Sequence, residues 1–125
     1  MIFGIGIDIV ELHRIENMLS RQARFPQRIL TEAEYARFTL LSDKRKIEFL
    51  AGRFAAKEAF SKAYGTGIGK ELSFQDIETG NDKAGKPVLA CAKLDGAAVH
   101  VSITHTKEYA AAQVVIERLS RYSAY

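Results

Sequence analysis

The segment from about Asp43 to Tyr64 constrains the fold more than any other part of this chain of 125 residues. Its spacing predicts one long helix. At about 100° per residue, one half of that helix carries mostly small side chains, so another element can approach it closely. This half contains Phe49, Gly52, Ala56, Ala59, Phe60 and Ala63.

The other half of the helix mixes charged and large apolar side chains. It contains Ile47, Leu50, Ala51, Arg53, Phe54, Lys57, Glu58, Ser61 and Lys62. An ordinary surface helix separates an apolar stripe from a solvated face. The mixture therefore indicates a central helix that needs a polar partner. The alternative is an amphipathic helix in which Glu58 and Lys62 form an i, i+4 ion pair.

Both ends of this helix carry residues that are typical of helix caps. Ser42 or Asp43 can cap its start, and Gly65 is suited to end it in a left-handed conformation. The basic triplet 44–46 falls in the first turn, where the helix dipole disfavours cations. Either an anion binds across this triplet or its three side chains are solvated.

Residues 2–10 alternate as a strand. One face contains Phe3, Ile5, Ile7 and Ile9, and the other contains Ile2, Gly4, Gly6, Asp8 and Val10. The glycines make the second face thin, which allows close approach by a neighbouring backbone or a ligand. Asp8 stands on that face near the end of the strand, where a carboxylate can also cap the following helix.

Residues 11–21 predict a short helix with Leu12, Ile15 and Leu19 facing inward. Another face carries basic residues around one methionine and continues beyond the helix. It is formed by Arg14, Met18, Arg21, Arg24 and Arg28. This face is either a solvated surface or a docking ridge for an acidic helix, with Met18 as an adaptable apolar contact.

A second helix should start at Thr31, because Glu34 three residues later completes a capping-box signature. Beyond the long helix, the pattern predicts strands at 73–79 and 87–93 around a turn at 81–87. A C-terminal hairpin follows, with alternating residues 99–104, His105 near the tip and a return strand 109–117. We therefore expect an α+β fold in a single domain, residues 1–125.

Composition excludes several classes of protein. Residues 1–70 hold 12 Lys and Arg against 8 Asp and Glu, and residues 71–125 hold 6 against 7. This uneven but small excess does not indicate a protein that tracks duplex nucleic acid, although the first half can meet something anionic. No apolar run approaches the ~20 residues that span a bilayer. The lone Cys91 cannot form an internal disulfide, so a cytoplasmic location and a core role for Cys91 are expected.

Two signatures stand in the chain at characteristic spacing. The first is Gly-x-Asp with an arginine six residues on, present as Gly6-Ile-Asp8 through Arg14. The second is Phe-x-x-Lys-Glu-Ala-x-x-Lys, present as residues 54–62. A Gly-Lys-Pro turn at 85–87 and Val-Ser-Ile-Thr-His at 101–105 follow in order. The chain resembles the holo-acyl-carrier-protein synthases, the small bacterial 4′-phosphopantetheinyl transferases, over residues 1 to about 117.

Tyr64 departs from the phenylalanine that is common there in the family, and residues 118–125 have no family counterpart. The resemblance implies the 4′-phosphopantetheinyl transferase fold, with one long central helix packed on a small antiparallel sheet. It also implies a homotrimer with active sites shared between subunits. The thin glycine face and the small-residue helix face are compatible with that assembly and equally with the core of a monomer.

The implied reaction is Mg²⁺-dependent transfer of the phosphopantetheine arm of coenzyme A to a serine of apo acyl-carrier protein, for fatty acid biosynthesis. The other product is adenosine 3′,5′-bisphosphate. Asp8 and Glu58 are hard oxygen ligands suited to Mg²⁺. Lys62 would stabilise charge on the diphosphate and stay protonated beside it. The base that deprotonates the serine is either a metal-held water or Glu58.

The resemblance also implies a set of binding residues. Coenzyme A phosphates would meet Lys44, Arg45, Arg53 and Lys57. The rest of the coenzyme A pocket would include Ser61, Lys62, Gly65, Gly85, Lys86, Pro87, Thr104, His105 and Thr106. The ridge of Arg14, Met18, Arg21, Arg24 and Arg28 would receive the acidic helix of the carrier protein.

Overall fold

The structure is a computed structural model that describes residues 1–119. Four helices and five strands follow one another along these residues. They are β1 (Ile2–Glu11), α1 (Leu12–Arg21), α2 (Phe25–Ile29), α3 (Glu32–Phe38), α4 (Asp43–Tyr64), β2 (Ile77–Asn81), β3 (Pro87–Cys91), β4 (Ala97–His105) and β5 (Tyr109–Arg118). The predicted α+β class is confirmed. Residues 120–125, most of the tail without a family counterpart, lie outside the described residues.

The strands form two antiparallel sheets. The larger has the order β1-β5-β4, so the first strand of the chain pairs with the last, with Asp8 opposite Ala112. The C-terminal hairpin β4-β5 forms as predicted. The smaller sheet is the hairpin β2-β3, in which Thr79 lies opposite Leu89.

The predicted strand at 73–79 is wrong in its first half. Phe74–Asp76 form a single 3₁₀ turn, and β2 begins only at Ile77. The reason is local: the Asp76 carboxylate accepts a hydrogen bond from the Ser73 backbone N–H, which favours a turn over extended chain. The following strand, predicted to reach residue 93, ends at Cys91.

The long helix α4 is the centre of the molecule, as its mixed pattern predicts. Ser42 caps its start by accepting a hydrogen bond from the Arg45 N–H, and Gly65 ends it with a φ of 109°. Leu50, Ala51 and Phe60 are completely buried. Because other elements cover it on several sides, the helix has no single solvated face.

Strand β1 lies directly on α4 through its glycines. A Cβ added at Gly4 would overlap the carbonyl of Ala63, and one added at Gly6 would overlap the carbonyl of Ala59. The thin face of the strand and the small-residue face of the helix are therefore used within one chain, which makes them part of the monomer core.

The opposite face of the larger sheet is open, and the part of it formed by β1 is apolar. Ile5, Ile7 and Ile9 are 60%, 64% and 65% exposed, and Phe3 is 45% exposed. We call these four residues the isoleucine face. An apolar surface of this kind on a folded chain marks a site of interaction. No helix among residues 1–119 is long and apolar enough to cross a membrane.

Candidate active site

Three predicted catalytic residues meet where β1 crosses α4. Asp8 points from the strand toward the helix, which presents Glu58 and Lys62 one turn apart. The Lys62 ammonium lies 3.0 Å from Asp8 Oδ1 and donates a second hydrogen bond, of 2.9 Å, to the Ile7 carbonyl. We call Asp8, Glu58 and Lys62 the acidic site. Its two carboxylates come from two different elements, as the sequence predicts.

The acidic site makes negative charge unfavourable at Glu58. Partial burial raises the pKa of Glu58, and the nearby Asp8 carboxylate raises it further. The positive charges of Lys62 and Arg14 lower this pKa, but the net shift is upward. A cation bound between the two carboxylates would relieve this repulsion, so the donor set fits a hard divalent metal.

Within residues 1–119, no group of three or more His, Cys, Asp or Glu side chains is arranged to hold a metal ion. A metal at the acidic site would thus have two protein carboxylates and would need water or substrate oxygens for its other ligands. Mg²⁺ is commonly bound in this way beside substrate phosphates.

A second group of predicted residues meets at the other half of α4. Arg45, Arg53 and His105 line a cavity of about 200 Å³ together with Phe49 and Gly52. A neighbouring cavity of about 580 Å³ includes Lys44, Thr106 and His105. Glu48 and His105 line both cavities. We call Lys44, Arg45, Arg53, His105 and Thr106 the basic site.

Arg53 is the most enclosed cation of the basic site. Its guanidinium carbon lies 4.3 Å from the centre of the Phe49 ring, and its Nε donates a hydrogen bond of 3.2 Å to Thr79 Oγ1. Burial lowers the pKa of Arg53, and the neighbouring Arg37 lowers it further. An anion in the cavity would offset both effects. Sequence reasoning missed Thr79 and Arg37, because their contacts with Arg53 are set only by the tertiary fold.

Two predicted residues are held by buried contacts within the protein. Lys57 is completely buried, and its ammonium donates to Glu34 Oε1 at 2.7 Å, to the Ile29 carbonyl at 2.8 Å and to the Phe74 carbonyl at 3.1 Å. All three of its donors are used. Ser61 is also completely buried, and its hydroxyl donates to the Glu58 carbonyl at 2.7 Å. Their contact with coenzyme A stays a prediction.

The remaining predicted pocket residues are dispersed. Gly65 is exposed at the end of α4. Gly85 and Lys86 are exposed at the β2-β3 turn with Pro87 half-buried beside them, and none of the three lines either cavity of the basic site. Thr104 lies on the open side of the larger sheet, beside Ile7 and Ser102. Arg45 and Glu58 are separated by roughly 20 Å along the axis of α4 at the rise of an ideal helix. Arg45 is therefore remote from the acidic site, whereas Arg53 is only about 8 Å from Glu58 along the same axis.

The arginines of the predicted docking ridge are open to solvent. Arg14, Arg21, Arg24 and Arg28 are exposed, and Met18 is half-buried among them. The ridge borders the acidic site, because the charge of Arg14 acts on Glu58. Within residues 1–119 these four arginines make no ion pair with a carboxylate, and Arg28 donates one hydrogen bond to Gln22 Oε1.

The sequence of this chain is similar to proteins of one family. The sequence matches the 4′-phosphopantetheinyl transferase superfamily over residues 4–114. It is 98% identical to the holo-acyl-carrier-protein synthase of Bacillus velezensis over 121 residues, which cover 97% of this chain and 100% of that protein. Identity to the Bacillus subtilis protein of the same name is 71% over 120 residues, covering 96% and 99% of the two chains.

A solved structure extends the comparison to three dimensions. The holo-acyl-carrier-protein synthase of Bacillus anthracis, crystallised with CoA (3′,5′-ADP), is 58% identical and superposes with a TM-score of 0.87. The match covers 94% of this chain and 98% of that one. This chain belongs to the 4′-phosphopantetheinyl transferase superfamily.

Proposed function

We propose that this chain is a holo-acyl-carrier-protein synthase. It transfers the 4′-phosphopantetheine arm of coenzyme A to a serine of apo acyl-carrier protein and releases adenosine 3′,5′-bisphosphate. The observation that carries the proposal is the acidic site, where Asp8 and Glu58 come together with Lys62 beside them. A module that only bound nucleotides would need the basic residues but would have no use for the paired carboxylates.

Asp8 and Glu58 would hold Mg²⁺, because both offer hard carboxylate oxygens and repel each other without a cation. When bound, the metal neutralises charge that builds on the transferred phosphoryl group and its leaving group. Lys62 contacts the Asp8 carboxylate and can reach a diphosphate bound at the acidic site. Its ammonium therefore adds electrostatic stabilisation. The serine proton goes to the Glu58 carboxylate or to a water beside the acidic site.

The basic site would bind the phosphates of the nucleotide end of coenzyme A. Arg45 and Arg53 line one cavity with His105, and Lys44 lines the neighbouring one. An arginine fork matches phosphate oxygens in two parallel hydrogen bonds. Lys57 would support this site from the interior, because its ammonium is bonded to the buried Glu34 carboxylate.

The functional unit in this proposal is a homotrimer. The isoleucine face is the surface that copies of this chain would bury against one another, because it is apolar and lies on an open sheet. The occupant is a further copy because Lys44 and Arg45, at the start of α4, lie roughly 20 Å along its axis from Glu58 and cannot reach the acidic site of their own chain. A neighbour can bring its basic site, and the Gly85–Pro87 turn, to the acidic site of the first chain.

The carrier protein would dock on the basic ridge. Four exposed arginines next to the acidic site suit an acidic helix, whose serine would then face Glu58. Met18 supplies an apolar contact within the same surface.

The experiment is the intact mass of purified apo acyl-carrier protein after incubation with this chain, coenzyme A and Mg²⁺, with and without a chelator. We expect the carrier to gain one phosphopantetheine unit, and we expect the chelator to abolish the gain. Glu58→Gln is the matched variant and should give no gain while remaining folded. An unchanged mass for several apo carriers would contradict the proposal in favour of a binding module.

A further inference from the structure

A series of hydrogen bonds, most of them buried, connects α3 with the cavity wall at the basic site. It starts at Glu34, a completely buried carboxylate that accepts four hydrogen bonds. Oε1 accepts from the Lys57 ammonium and the Thr31 N–H, and Oε2 accepts from the N–H and the hydroxyl of Thr79. Each carboxylate oxygen therefore has a fixed role, and the side chain cannot turn.

Thr79 is the link between this carboxylate and the cavity. Its hydroxyl proton is directed to Glu34 Oε2 at 2.8 Å, so a lone pair on the same oxygen is left to accept from Arg53 Nε at 3.2 Å. Its backbone is held as well, since Thr79 N donates to Oε2 at 2.6 Å and the Thr79 carbonyl accepts from Arg37 Nη2 at 2.9 Å. The direction of the hydroxyl is thus imposed by the buried network.

The guanidinium of Arg53 is hydrogen-bonded to the protein at one edge only. Its Nε binds Thr79 and its planar group stacks on Phe49, which lines the same cavity as Arg53. Within residues 1–119 the guanidinium makes no ion pair and no other hydrogen bond to the protein. Its charge is available to an anion in the cavity.

We propose that Thr79 is a positioning residue for coenzyme A, fixing the guanidinium of Arg53 so that its terminal nitrogens meet a phosphate of the ligand. Glu34 positions Thr79 in turn. A flexible arginine would have to lose its side-chain freedom on binding, whereas this one is ordered beforehand. The inference rests on the proposed function, since it names a phosphate of coenzyme A as the group that Arg53 meets.

The test compares two substitutions in the full chain by calorimetric titration with coenzyme A. Thr79→Val keeps the shape and the backbone N–H but removes the hydroxyl, and we expect the Kd to rise about tenfold. Thr79→Ser keeps the hydroxyl, and we expect it to stay within about twofold of the unaltered chain. In the transfer assay, Thr79→Val should raise KM for coenzyme A and leave KM for the carrier unchanged.

A double-mutant cycle separates positioning from a purely structural role. Arg53→Lys keeps the charge but has no Nε–H for Thr79 to hold, so Thr79→Val should have no further effect on Kd in that background. An equal rise in both backgrounds would overturn the proposal. Arg53→Lys leaves the Glu34–Thr79 bonds intact and provides a second test if Thr79→Val does not fold. If its Kd for coenzyme A is unchanged, the proposal is wrong.

The binding readout also separates this inference from the proposed function. If the unaltered chain binds coenzyme A but modifies no carrier, the transferase proposal fails, and the cycle still measures the role of Thr79. If transfer proceeds and Thr79→Val binds coenzyme A as tightly as the unaltered chain, only the positioning role fails.

Discussion

Lys57 Nζ lies 2.7 Å from Glu34 Oε1, and neither side chain is exposed to solvent. This pair joins α4 to α3, and through the other contacts of the ammonium it also holds the end of α2 and the 3₁₀ turn. Burial acts to raise the pKa of Glu34, but the hydrogen bonds from Lys57, Thr31 and Thr79 outweigh it, so the net pKa is lowered. Burial lowers the pKa of Lys57, and the hydrogen bond and negative charge of Glu34 oppose that shift.

Glu34→Gln should lower the free energy of unfolding by about 3–5 kcal/mol, because it leaves the buried Lys57 ammonium without its countercharge. Urea unfolding measures the change. Glu32→Gln, on the exposed side of the same helix, is the control and should stay within about 0.5 kcal/mol. A Glu34→Gln variant that is as stable as Glu32→Gln would argue against the pair.

The same carboxylate gives stability a pH dependence. The pKa of Glu34 is lowered in the folded chain. Its contribution to the free energy of unfolding is therefore complete above pH 4.5, the ordinary pKa of this carboxyl, and is lost as the pH falls below that value. Unfolding midpoints measured down this range should drop more steeply for the unaltered chain than for Glu34→Gln.

Glu58→Gln should reduce transfer by about 10² to 10⁴-fold, because it removes a metal ligand or the base and leaves an isosteric side chain. Because the folded pKa of Glu58 is raised, ionising this carboxyl costs stability as pH rises through that pKa. Without metal and near neutral pH, Glu58→Gln should therefore melt at a higher temperature than the unaltered chain. Below pH 4.5, the ordinary pKa of this carboxyl, Glu58 is neutral like the glutamine that replaces it. The unaltered chain and Glu58→Gln should then melt at the same temperature.

Glu71→Gln, a substitution of an exposed carboxylate in the loop after α4, is the matched control for Glu58→Gln. It should change neither transfer nor melting. If Glu58→Gln melts lower than the unaltered chain in chelator, the repulsion between Asp8 and Glu58 is weaker than the structure indicates.

Gly6→Ala should prevent stable folding or lower the free energy of unfolding by about 3 kcal/mol or more, because its Cβ would overlap the backbone carbonyl of Ala59. Gly80→Ala is the control, since a Cβ there meets only Val88 Cγ2 at 3.7 Å. Chemical unfolding of both variants measures the difference. Equal stabilities would show that the strand can lift away from the helix without cost.

Reversing the charge of Arg14 and Arg21 together should raise KM for the carrier about tenfold or more and leave the Kd for coenzyme A unchanged. Higher salt should weaken docking of the unaltered chain in the same direction, because exposed charges are screened. Lys70→Glu, on the exposed loop after α4, is the control for a simple change in net charge. An unchanged KM in the double reversal would remove the ridge as the docking surface.

Ile7→Asp should dissociate the proposed trimer, because it places a charge in the middle of the isoleucine face. Sedimentation of the purified chain measures the mass in solution. Leu40→Asp is the control: this leucine is 86% exposed and lies in the segment between α3 and α4, outside the isoleucine face. If Ile7→Asp sediments with the same mass as the unaltered chain, the assembly uses another surface.

Local chemistry made much of the fold predictable from the sequence. The bounds of α4, the Thr31–Glu34 capping box and the left-handed Gly65 all agree with the structure, because each depends on residues within one or two turns. The pairing of β1 with β5 was not predicted, since nothing local in either strand specifies a partner more than a hundred residues away.

Lys57 shows why the site was only partly predictable. A lysine in a signature beside Glu58 has the same local pattern whether it meets a phosphate or an internal carboxylate. Glu34 was identified as a helix cap, and it is one, but the same oxygen also accepts from Lys57. A side chain with two roles cannot be distinguished in sequence from one with a single role. Asp8 and Glu58, in contrast, were predicted from their spacing in two signatures.

The contact between β1 and α4 has a consequence for inheritance. Where two elements meet through side chains, their spacing drifts as those side chains change size over many generations. Here the main chain of Gly6 rests on the main chain of Ala59, so the spacing is fixed by atoms that no substitution can resize. Asp8 on β1 and Glu58 on α4 therefore keep their separation when other core side chains are substituted.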